Sequence, residues 1–344
     1  MIYRLAEPSD GLEMLKLIES HASSGGMNII YTRRPDAYRS YKQENPGSEI
    51  MLCVSDTGSL LGQVACLPVN VYFNGKAVTI GYINGLHQSV GKRANIMRML
   101  DAGDKTTPIS QYYCSVLDGN EAVYTMFARR GILKPICSYT TYFIHPCAIK
   151  PVKHAFSFRR AQKEDEGRLV RFYREFGSKH DYFPEISDLN SYSGLSVSDF
   201  YIFEDSSGIA AAGAIWNQME YKQYIAMGYS GFYRLASYLG PVLEFFRYPA
   251  LPKKGEAANF AYISFLLTRG ENPGVLKAML SEIASAGSQY GFLALGASGG
   301  DILGQALKGA KSIKLKSRIC SVGYGQSNLN ETEGEICKFE LAML

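Results

Sequence analysis

The chain has 344 residues, more than one hydrophobic core usually holds, so its length predicts two domains. Hydrophobic residues make up 46% and charged residues 20%, an ordinary globular composition. A mean hydropathy of -0.10 excludes several membrane spans. The net charge of +4 is too small for a nucleic-acid-binding protein, which usually carries a clustered basic face, but it suits a small anionic ligand.

The N-terminal residues lack the basic region and apolar run of a secretion signal. We therefore expect a cytoplasmic protein without a membrane partner. The seven cysteines agree, because their number is odd and none has CxxC or other metal-ligand spacing. We expect buried, reduced thiols and no bound metal.

The two halves of the chain begin with the same pattern. Residues 3–6 (YRLA) precede Asp10, and residues 158–161 (FRRA) precede Asp165, with a constant offset of 155. Apolar residues at helical spacing follow each aspartate, which is a typical helix-start residue. Both halves are predicted to start with a strand, a cap and a helix.

Hairpin signals follow in each half. In the first half, strands are predicted over 51–54, 60–67, 69–73 and 77–83. Asn74-Gly75 separates the last two and supplies the positive φ angles of a type I′ turn. The second half repeats the first of these hairpins over 201–203 and 209–216.

Each half then continues with a helix and a second repeated segment. Helices are predicted over 94–100 and 275–286. The segment 110–131 recurs as 288–309, since Ser-Gln-Tyr opens both copies and a glycine closes both. The constant offset of 178 keeps strand, turn and helix in register. The order predicts an α/β fold with a mixed sheet in each half, and we place the halves at 1–148 and 149–344.

These residues resemble the GNAT (GCN5-related N-acetyltransferase) acyltransferase superfamily in a tandem form. The resemblance covers nearly the whole chain and is clearer in the first half. It rests there on Arg4-Leu5-Ala6 with Asp10, Gly81-Tyr82-Ile83 with Leu86, the segment from Gln88, and Leu117 to Ala122 with Arg130-Gly131-Ile132.

The resemblance implies that an acyl-CoA, acetyl-CoA or a longer one, binds as co-substrate. Its pyrophosphate would rest on backbone N–H groups at a helix start, where donors are unpaired and a glycine permits close approach. The first half is favoured, since its basic residues complement phosphate whereas Glu271 opposes it. The candidate first-half residues are Leu86, Gln88, Gly91, Lys92, Arg93, Ala94 and Asn120, and those of the second half are Arg269 and Gly274.

Acyl transfer needs a base for the amine and an acid for the leaving thiolate. In the GNAT pattern the acid is a tyrosine seven residues after the position matched to Asn120, but Phe127 stands there and Gln305 stands in the second copy. Tyr124, one helical turn earlier, is the candidate acid. His87 is the candidate base. For both residues a structural role is the alternative.

Aromatic residues cluster around Trp216, Gln218 and Lys222 in the second half. Such a composition suits stacking on a sugar or on an extended polar acceptor. Core packing is the alternative interpretation of the cluster.

The sequence favours an acyl-CoA-dependent N-acyltransferase that acts on an amine of a small molecule or sugar by direct transfer in a ternary complex. One alternative is a non-catalytic, GNAT-like binding or regulatory protein, favoured by Phe127 and Gln305. Another is an aminoacyl transferase resembling the Fem enzymes. No nucleic-acid partner is expected, and a homodimer is left open.

Overall fold

The computed structural model describes residues 1–21, 27–89, 91, 96–104, 109, 111–238, 246, 251–323 and 337–344. Strands and helices are interspersed along this part of the chain, in agreement with the predicted α/β class. The helices are α1 (Gly11–Glu19), α2 (Ala37–Glu44), α3 (Ile96–Asp104), α4 (Glu121–Ala128), α5 (Glu166–Phe172), α6 (Gly231–Tyr238), α7 (Pro273–Ala286) and α8 (Ile302–Ala306). The strands of the first half are β1 (Ile2–Leu5), β2 (Met27–Thr32), β3 (Glu49–Val54), β4 (Leu60–Phe73), β5 (Lys76–Gln88), β6 (Tyr112–Leu117) and β7 (Leu133–Ile144). Those of the second half are β8 (Ser157–Arg160), β9 (Phe200–Asp205), β10 (Gly208–Trp216), β11 (Gln223–Tyr229), β12 (Phe260–Thr268), β13 (Phe292–Ser298) and β14 (Ser312–Val322).

The repeated pattern at the start of each half folds into the same ion pair. Arg4 binds both carboxylate oxygens of Asp10 at 2.7 Å, just before α1. Arg159 binds Asp165 in the same bidentate way at 2.6 and 2.8 Å, just before α5. A bidentate pair fixes both distance and orientation, so each first strand is tied to its helix in the same geometry.

The turn between β4 and β5 is the one that Asn74-Gly75 predicts. Both residues have positive φ, 50° and 72°, as a type I′ turn requires. Phe73 and Lys76 close the hairpin as the first cross-strand pair. The hairpin is longer than predicted, because the predicted strands 60–67 and 69–73 form the single strand β4, which pairs with β5 from Gly62 and Gln88 onward.

Twelve strands form one sheet in the order β1-β3-β4-β5-β6-β14-β7-β13-β12-β10-β9-β8. The two halves exchange a strand at its centre. β14 of the second half lies between β6 and β7 of the first half and is antiparallel to both. β7 in turn lies between β14 and β13. The 178-residue offset relates β7 to β14, so each half gives its last strand to the other.

A smaller sheet also joins the halves. β2 of the first half pairs antiparallel with β11 of the second, from Thr32 and Gln223 to Met27 and Tyr229. Apolar residues of the large sheet are buried on both of its faces, under α1 and α2 on one side of the first half and against the tyrosine and phenylalanine side chains of α4 on the other. Among the described residues, no helix combines the length and apolarity needed to cross a membrane.

The strand exchange predicts that the halves do not fold separately. A fragment of residues 1–148 lacks β14, so β6 and β7 each lose the partner strand that satisfies their backbone groups. We expect this fragment and the fragment 149–344 to be unfolded or aggregated when expressed alone, and to form a 1:1 complex when co-expressed. Circular dichroism and size-exclusion chromatography would measure both. A monomeric 1–148 fragment with cooperative thermal unfolding would contradict the prediction, and the boundary at residue 148 itself stays a prediction.

Candidate active site

A cleft opens in the first half where β5 and β6 part. The two strands are parallel and pair at only two positions, Gly81 with Tyr112 and Tyr82 with Tyr113. Beyond them, β5 continues beside β4 while β6 continues beside β14. The sheet therefore splits into a wedge, and the Tyr82 and Tyr113 rings stack at its apex with their centroids 5.0 Å apart.

A β-bulge shapes the β5 side of this cleft. Gln63 lies opposite His87, but Ala65 lies opposite Asn84, so β5 holds one residue more than β4 over the same length. Gly85 lies within the extra segment with a φ of +60°. A bulge disrupts the ladder locally and turns backbone groups away from the neighbouring strand.

Only glycine fits at position 85. A Cβ atom added there would lie 2.0 Å from the Tyr41 hydroxyl, and its φ is one that side chains rarely adopt. The backbone of β5 is thus in close contact with α2 at the point where its ladder is interrupted.

The second half has the same cleft and the same bulge. β12 and β13 are parallel and pair over 260–262 and 292–294 before they part. The bulge spans 264–267 opposite 212–214. Phe265 is the counterpart of Gly85 and has a φ of +53°, an unusual value for a non-glycine residue. Its buried ring is held between those of Trp216 and Phe200, at centroid distances of 5.8 and 6.0 Å.

A carboxylate of the chain itself occupies the second bulge. The Phe265 N–H donates to Glu340 Oε2 at 2.6 Å, and the Ala342 N–H donates to Oε1 at 3.1 Å. Burial raises the pKa of Glu340 to about 7, against the opposing effect of these backbone donors. The Phe265 N–H, which the bulge turns away from the neighbouring strand, is therefore already bound to Glu340.

The predicted phosphate loop of the first half begins where β5 ends. Gln88 is the last residue of β5 and lies opposite Gly62. Gly91 is exposed with a φ of +72°, and a Cβ there would meet no atom within 4 Å, so backbone conformation alone favours glycine. Lys92, Arg93 and Ala94 lie outside the described residues.

The corresponding loop of the second half is bound internally. The Asn272 side chain caps α7 by accepting the N–H groups of Gly274 and Val275, at 2.9 and 3.2 Å. Arg269 forms a bidentate pair with Asp205 at 3.2 and 2.5 Å. The helix-start amides that would bind phosphate are thus capped, so the two predicted residues of this half, Arg269 and Gly274, are engaged within the fold.

His87 lies on the α1 side of the first cleft. It is the cross-strand partner of Gln63, and its ring centroid is 5.2 Å from that of His21 at the end of α1. Burial, together with His21 and Arg33, lowers the pKa of His87 to about 4. The imidazole is therefore neutral near pH 7 and can accept a proton, as a weak base.

The other first-half candidates lie on different elements. Leu86, in the bulge, is 36% exposed. Asn120 is exposed at the start of α4, and its side chain makes no capping hydrogen bond. Tyr124 is half-buried on α4 with the Arg318 guanidinium 4.7 Å from its ring centre, whereas Phe127 is buried in the apolar cluster beneath the helix. The fold brings Tyr124 to the opposite face of the sheet from His87.

Buried polar side chains that the sequence did not single out line the α1 and α2 side of the bulge. Gln63 is fully buried, and neither its amide oxygen nor its nitrogen makes a hydrogen bond of standard geometry with another described residue. The same holds for Asn84 Oδ1. Buried polar atoms are normally paired, so these atoms mark a place suited to a polar ligand. A glycine within a strand, Gly85, was the one sequence signal for this place.

No protein-family model matches the sequence, and no curated protein matches it significantly. Solved structures match along most of the chain. A GCN5-related N-acetyltransferase from Anabaena variabilis is 13% identical with a TM-score of 0.52, over 93% of this chain and 72% of that one. N-myristoyltransferase from Saccharomyces cerevisiae with bound myristoyl-CoA is 10% identical with a TM-score of 0.58, over 97% and 83%. A glucosamine N-acetyltransferase region in a fungal multi-domain β-N-acetylglucosaminidase is 13% identical with a TM-score of 0.61, over 93% and 38%.

This chain has the GNAT fold. The match over at least 93% of the chain includes both halves, so the expected tandem arrangement of two GNAT-like domains is confirmed. The split after β5 and the split after β12 lie at corresponding places in the two domains.

The three predicted acceptor residues lie in the interior of the tandem GNAT fold. Each is at most 3% exposed. The Trp216 indole N–H donates to the Ser193 carbonyl at 2.9 Å, and the Gln218 amide donates to the Ala342 carbonyl at 3.0 Å. Lys222 Nζ donates to the same Ala342 carbonyl at 3.2 Å.

Lys222 also belongs to a buried ionic cluster that joins the GNAT domains. Glu44 at the end of α2 pairs with Arg33 at 2.6 Å and, at very short distance, with Lys222. Burial alone would raise the pKa of Glu44, but the two cations hold it below its usual value. The cluster holds two positive charges and one negative charge, and each member is at most 7% exposed.

Substitution of Glu44 is expected to destabilise the fold strongly. Glu44→Gln leaves two buried cations without a counter-charge, which costs about 3 to 5 kcal/mol of the free energy of unfolding. The matched control is Glu13→Gln, which breaks an exposed pair with Lys16 and should cost less than about 1 kcal/mol. Urea unfolding of both variants measures the difference. Equal losses would show that the buried cluster contributes little.

Proposed function

We propose that the chain is an acyl-CoA-dependent N-acyltransferase whose first GNAT domain holds the thioester in the cleft between β5 and β6. The observation that carries this proposal is the bulge at Gly85. It lies where the strands part, and its second-half counterpart shows that such a bulge presents an N–H able to bind an oxygen at 2.6 Å. A preorganised backbone donor of this kind stabilises the oxyanion of acyl transfer.

The two sides of the cleft suit two different ligands. The α3 and α4 side leads to Gly91 and the start of α3, where backbone N–H groups and the helix dipole favour the pyrophosphate of an acyl-CoA. The α1 and α2 side holds His87 and the buried amide of Gln63, which suits a polar amine acceptor. The acyl carbonyl would lie between them, at the bulge.

The geometry then supports direct transfer. The amine nitrogen attacks the thioester carbonyl, and a C–N bond forms as the C–S bond breaks. His87 accepts the proton from the amine on one face of the sheet, and the Gly85 N–H binds the oxyanion. On the other face Tyr124 gives its phenolic proton to the departing thiolate. Proximity supplies much of the rate enhancement, because both reactants are held in one cleft.

Acetyl-CoA is the co-substrate that we propose, with an amine of a small molecule or sugar as acceptor. Two observations support this class. The structural neighbours include a GCN5-related N-acetyltransferase and a glucosamine N-acetyltransferase region. The buried polar side-chain atoms at the bulge include those of the Gln63 and Asn84 amides and of the Tyr41 hydroxyl, groups that recognise hydroxyl and amino groups by hydrogen bonding.

A non-catalytic binding protein is the second candidate. Phe127 stands where the GNAT pattern has its acid, and it is buried in an apolar cluster. If Tyr124 does not donate a proton, the chain binds acetyl-CoA without turnover. The variant Tyr124→Phe distinguishes the acyltransferase from the binding protein. A loss of about 100-fold in kcat supports the acyltransferase.

Gly91→Ala is expected to weaken acetyl-CoA binding. The added methyl strains a backbone at φ +72° and moves the loop that approaches the pyrophosphate. We expect the dissociation constant from isothermal titration calorimetry to rise at least about tenfold. Gly255→Ala is the matched control, since Gly255 is exposed, has a φ of +86° and is equally open. Both variants should lose about 1 kcal/mol of stability, and an unchanged affinity in Gly91→Ala would contradict the first-half site.

His87→Gln is expected to lower kcat/KM about 100-fold, because a general base contributes a factor of this order. The pKa of His87 is about 4, and the neutral form is the active base. Activity that depends on His87 should therefore stay level from neutral pH down to about pH 5 and fall as the pH approaches 4. His154→Gln, which removes a histidine paired with Glu282 in the second half, serves as the control. A His87-dependent inflection near about 6.5 would contradict the lowered pKa, and an unchanged kcat/KM in His87→Gln would contradict the role as base.

A further inference from the structure

We infer that the C-terminal segment, residues 337–344, is an internal ligand of the second GNAT domain. It fills the cleft between β12 and β13, so that an acyl-CoA binds the first domain alone. The inference takes from the proposed function only the identity of the external ligand, an acyl-CoA. The occupation of the second cleft rests on the contacts below.

The C-terminal segment runs along the cleft and is fixed on both sides. The Tyr139 hydroxyl donates to the Phe339 carbonyl at 3.0 Å, and the Lys338 N–H donates to the Asp181 carbonyl at 2.9 Å. The Phe339 ring stacks on Tyr182 with centroids 4.4 Å apart. The short helical turn Leu341–Met343 contacts both β12 and β13. The segment therefore lies between the parted strands.

Glu340 takes the hydrogen bond that an acyl carbonyl would need. Its Oε2 accepts the Phe265 N–H at 2.6 Å, in the bulge that corresponds to Gly85 in the first domain. Its Oε1 accepts the Ala342 N–H, which closes the turn at the end of the chain. A thioester entering this cleft would have to displace a buried, doubly bound carboxyl group.

Lys338 pairs with acidic residues at the two helix starts that flank the cleft. Its Nζ lies 3.3 Å from Glu271, just before α7, and 3.8 Å from Asp301, which caps α8. Glu271 also pairs with His180 at 3.4 Å. In an acyl-CoA site these helix starts would face phosphate and pantetheine, whereas here they face carboxylates and a lysine of the same chain.

The cavity beside the segment is too small for a cofactor arm. The cavity beside the segment has a volume of about 40 Å³ and is lined by Leu276, Gly296 and Leu303 together with residues 338–341. Such a volume holds one or two water molecules. The capped start of α7, with Asn272 bound to the Gly274 and Val275 N–H groups, removes the phosphate site as well.

The decisive experiment combines binding stoichiometry with hydrogen–deuterium exchange of the full chain. We expect the parent to bind one acetyl-CoA per chain, and saturating acetyl-CoA to leave the exchange of residues 337–344 unchanged. Glu340→Ala should speed that exchange at least about tenfold, because the segment loses its bond to Phe265. Lys338→Ala should speed the exchange to a smaller extent. Because it leaves the hydrogen bond at the bulge in place, it can replace Glu340→Ala if that variant fails to fold. Glu13→Ala, at an exposed site, is the control.

The single tryptophan gives an independent readout. Trp216 is 3% exposed and stacks on Phe265, so its fluorescence reports on the second cleft. We expect a red shift in Glu340→Ala and no shift when the parent binds acetyl-CoA.

Two acetyl-CoA per chain, or faster exchange of 337–344 on addition of acetyl-CoA, would overturn the inference. The inference is also overturned if residues 337–344 exchange hydrogen in both variants at the same rate as in the parent. If the parent binds no acetyl-CoA, the proposed function fails, and the exchange of the two variants still decides whether the segment is held in the cleft.

Discussion

The exchange of β7 and β14 is the constraint on which the rest of the structure depends. Each strand is antiparallel to strands of the other half, so backbone hydrogen bonds join the two domains into one sheet. β6 and β13 are thereby held by strands from the opposite half, and each is free to part from its parallel neighbour. Two clefts result, one on either side of the exchanged pair.

The two clefts share their architecture and differ in what fills them. Both follow a short parallel pairing, and both carry a bulge with a residue of positive φ. At Gly85 the close contact with Tyr41 requires glycine, while at Phe265 aromatic packing holds an ordinary side chain in the same unusual conformation. The second bulge binds Glu340. Duplication has thus given one fold two clefts, of which the second is occupied by a side chain of the same chain.

Much of the fold and less of the site could be predicted from the sequence. The helix starts at Asp10 and Asp165, the Asn74-Gly75 turn and the mixed α/β order follow from local patterns, since they depend on residues close together in the chain. His87 at the end of a strand and Gly91 in a loop also follow from such patterns. Lys222 shows what the sequence could not predict. A lysine among aromatic residues suggests a ligand site, but its ion-pair partner Glu44 is 178 residues away.

By itself, the sequence indicated the duplication and much of the secondary structure, because apolar periodicity, turn residues and a constant offset are local features. Its resemblance to GNAT proteins implied the tandem fold. Tertiary structure alone decided which strand pairs with which, because antiparallel partners of similar composition are interchangeable until the whole sheet forms. It also decided that Glu340, 75 residues from Phe265, binds the second bulge. That contact depends on where the end of the chain lies in three dimensions, and no spacing along the chain encodes it.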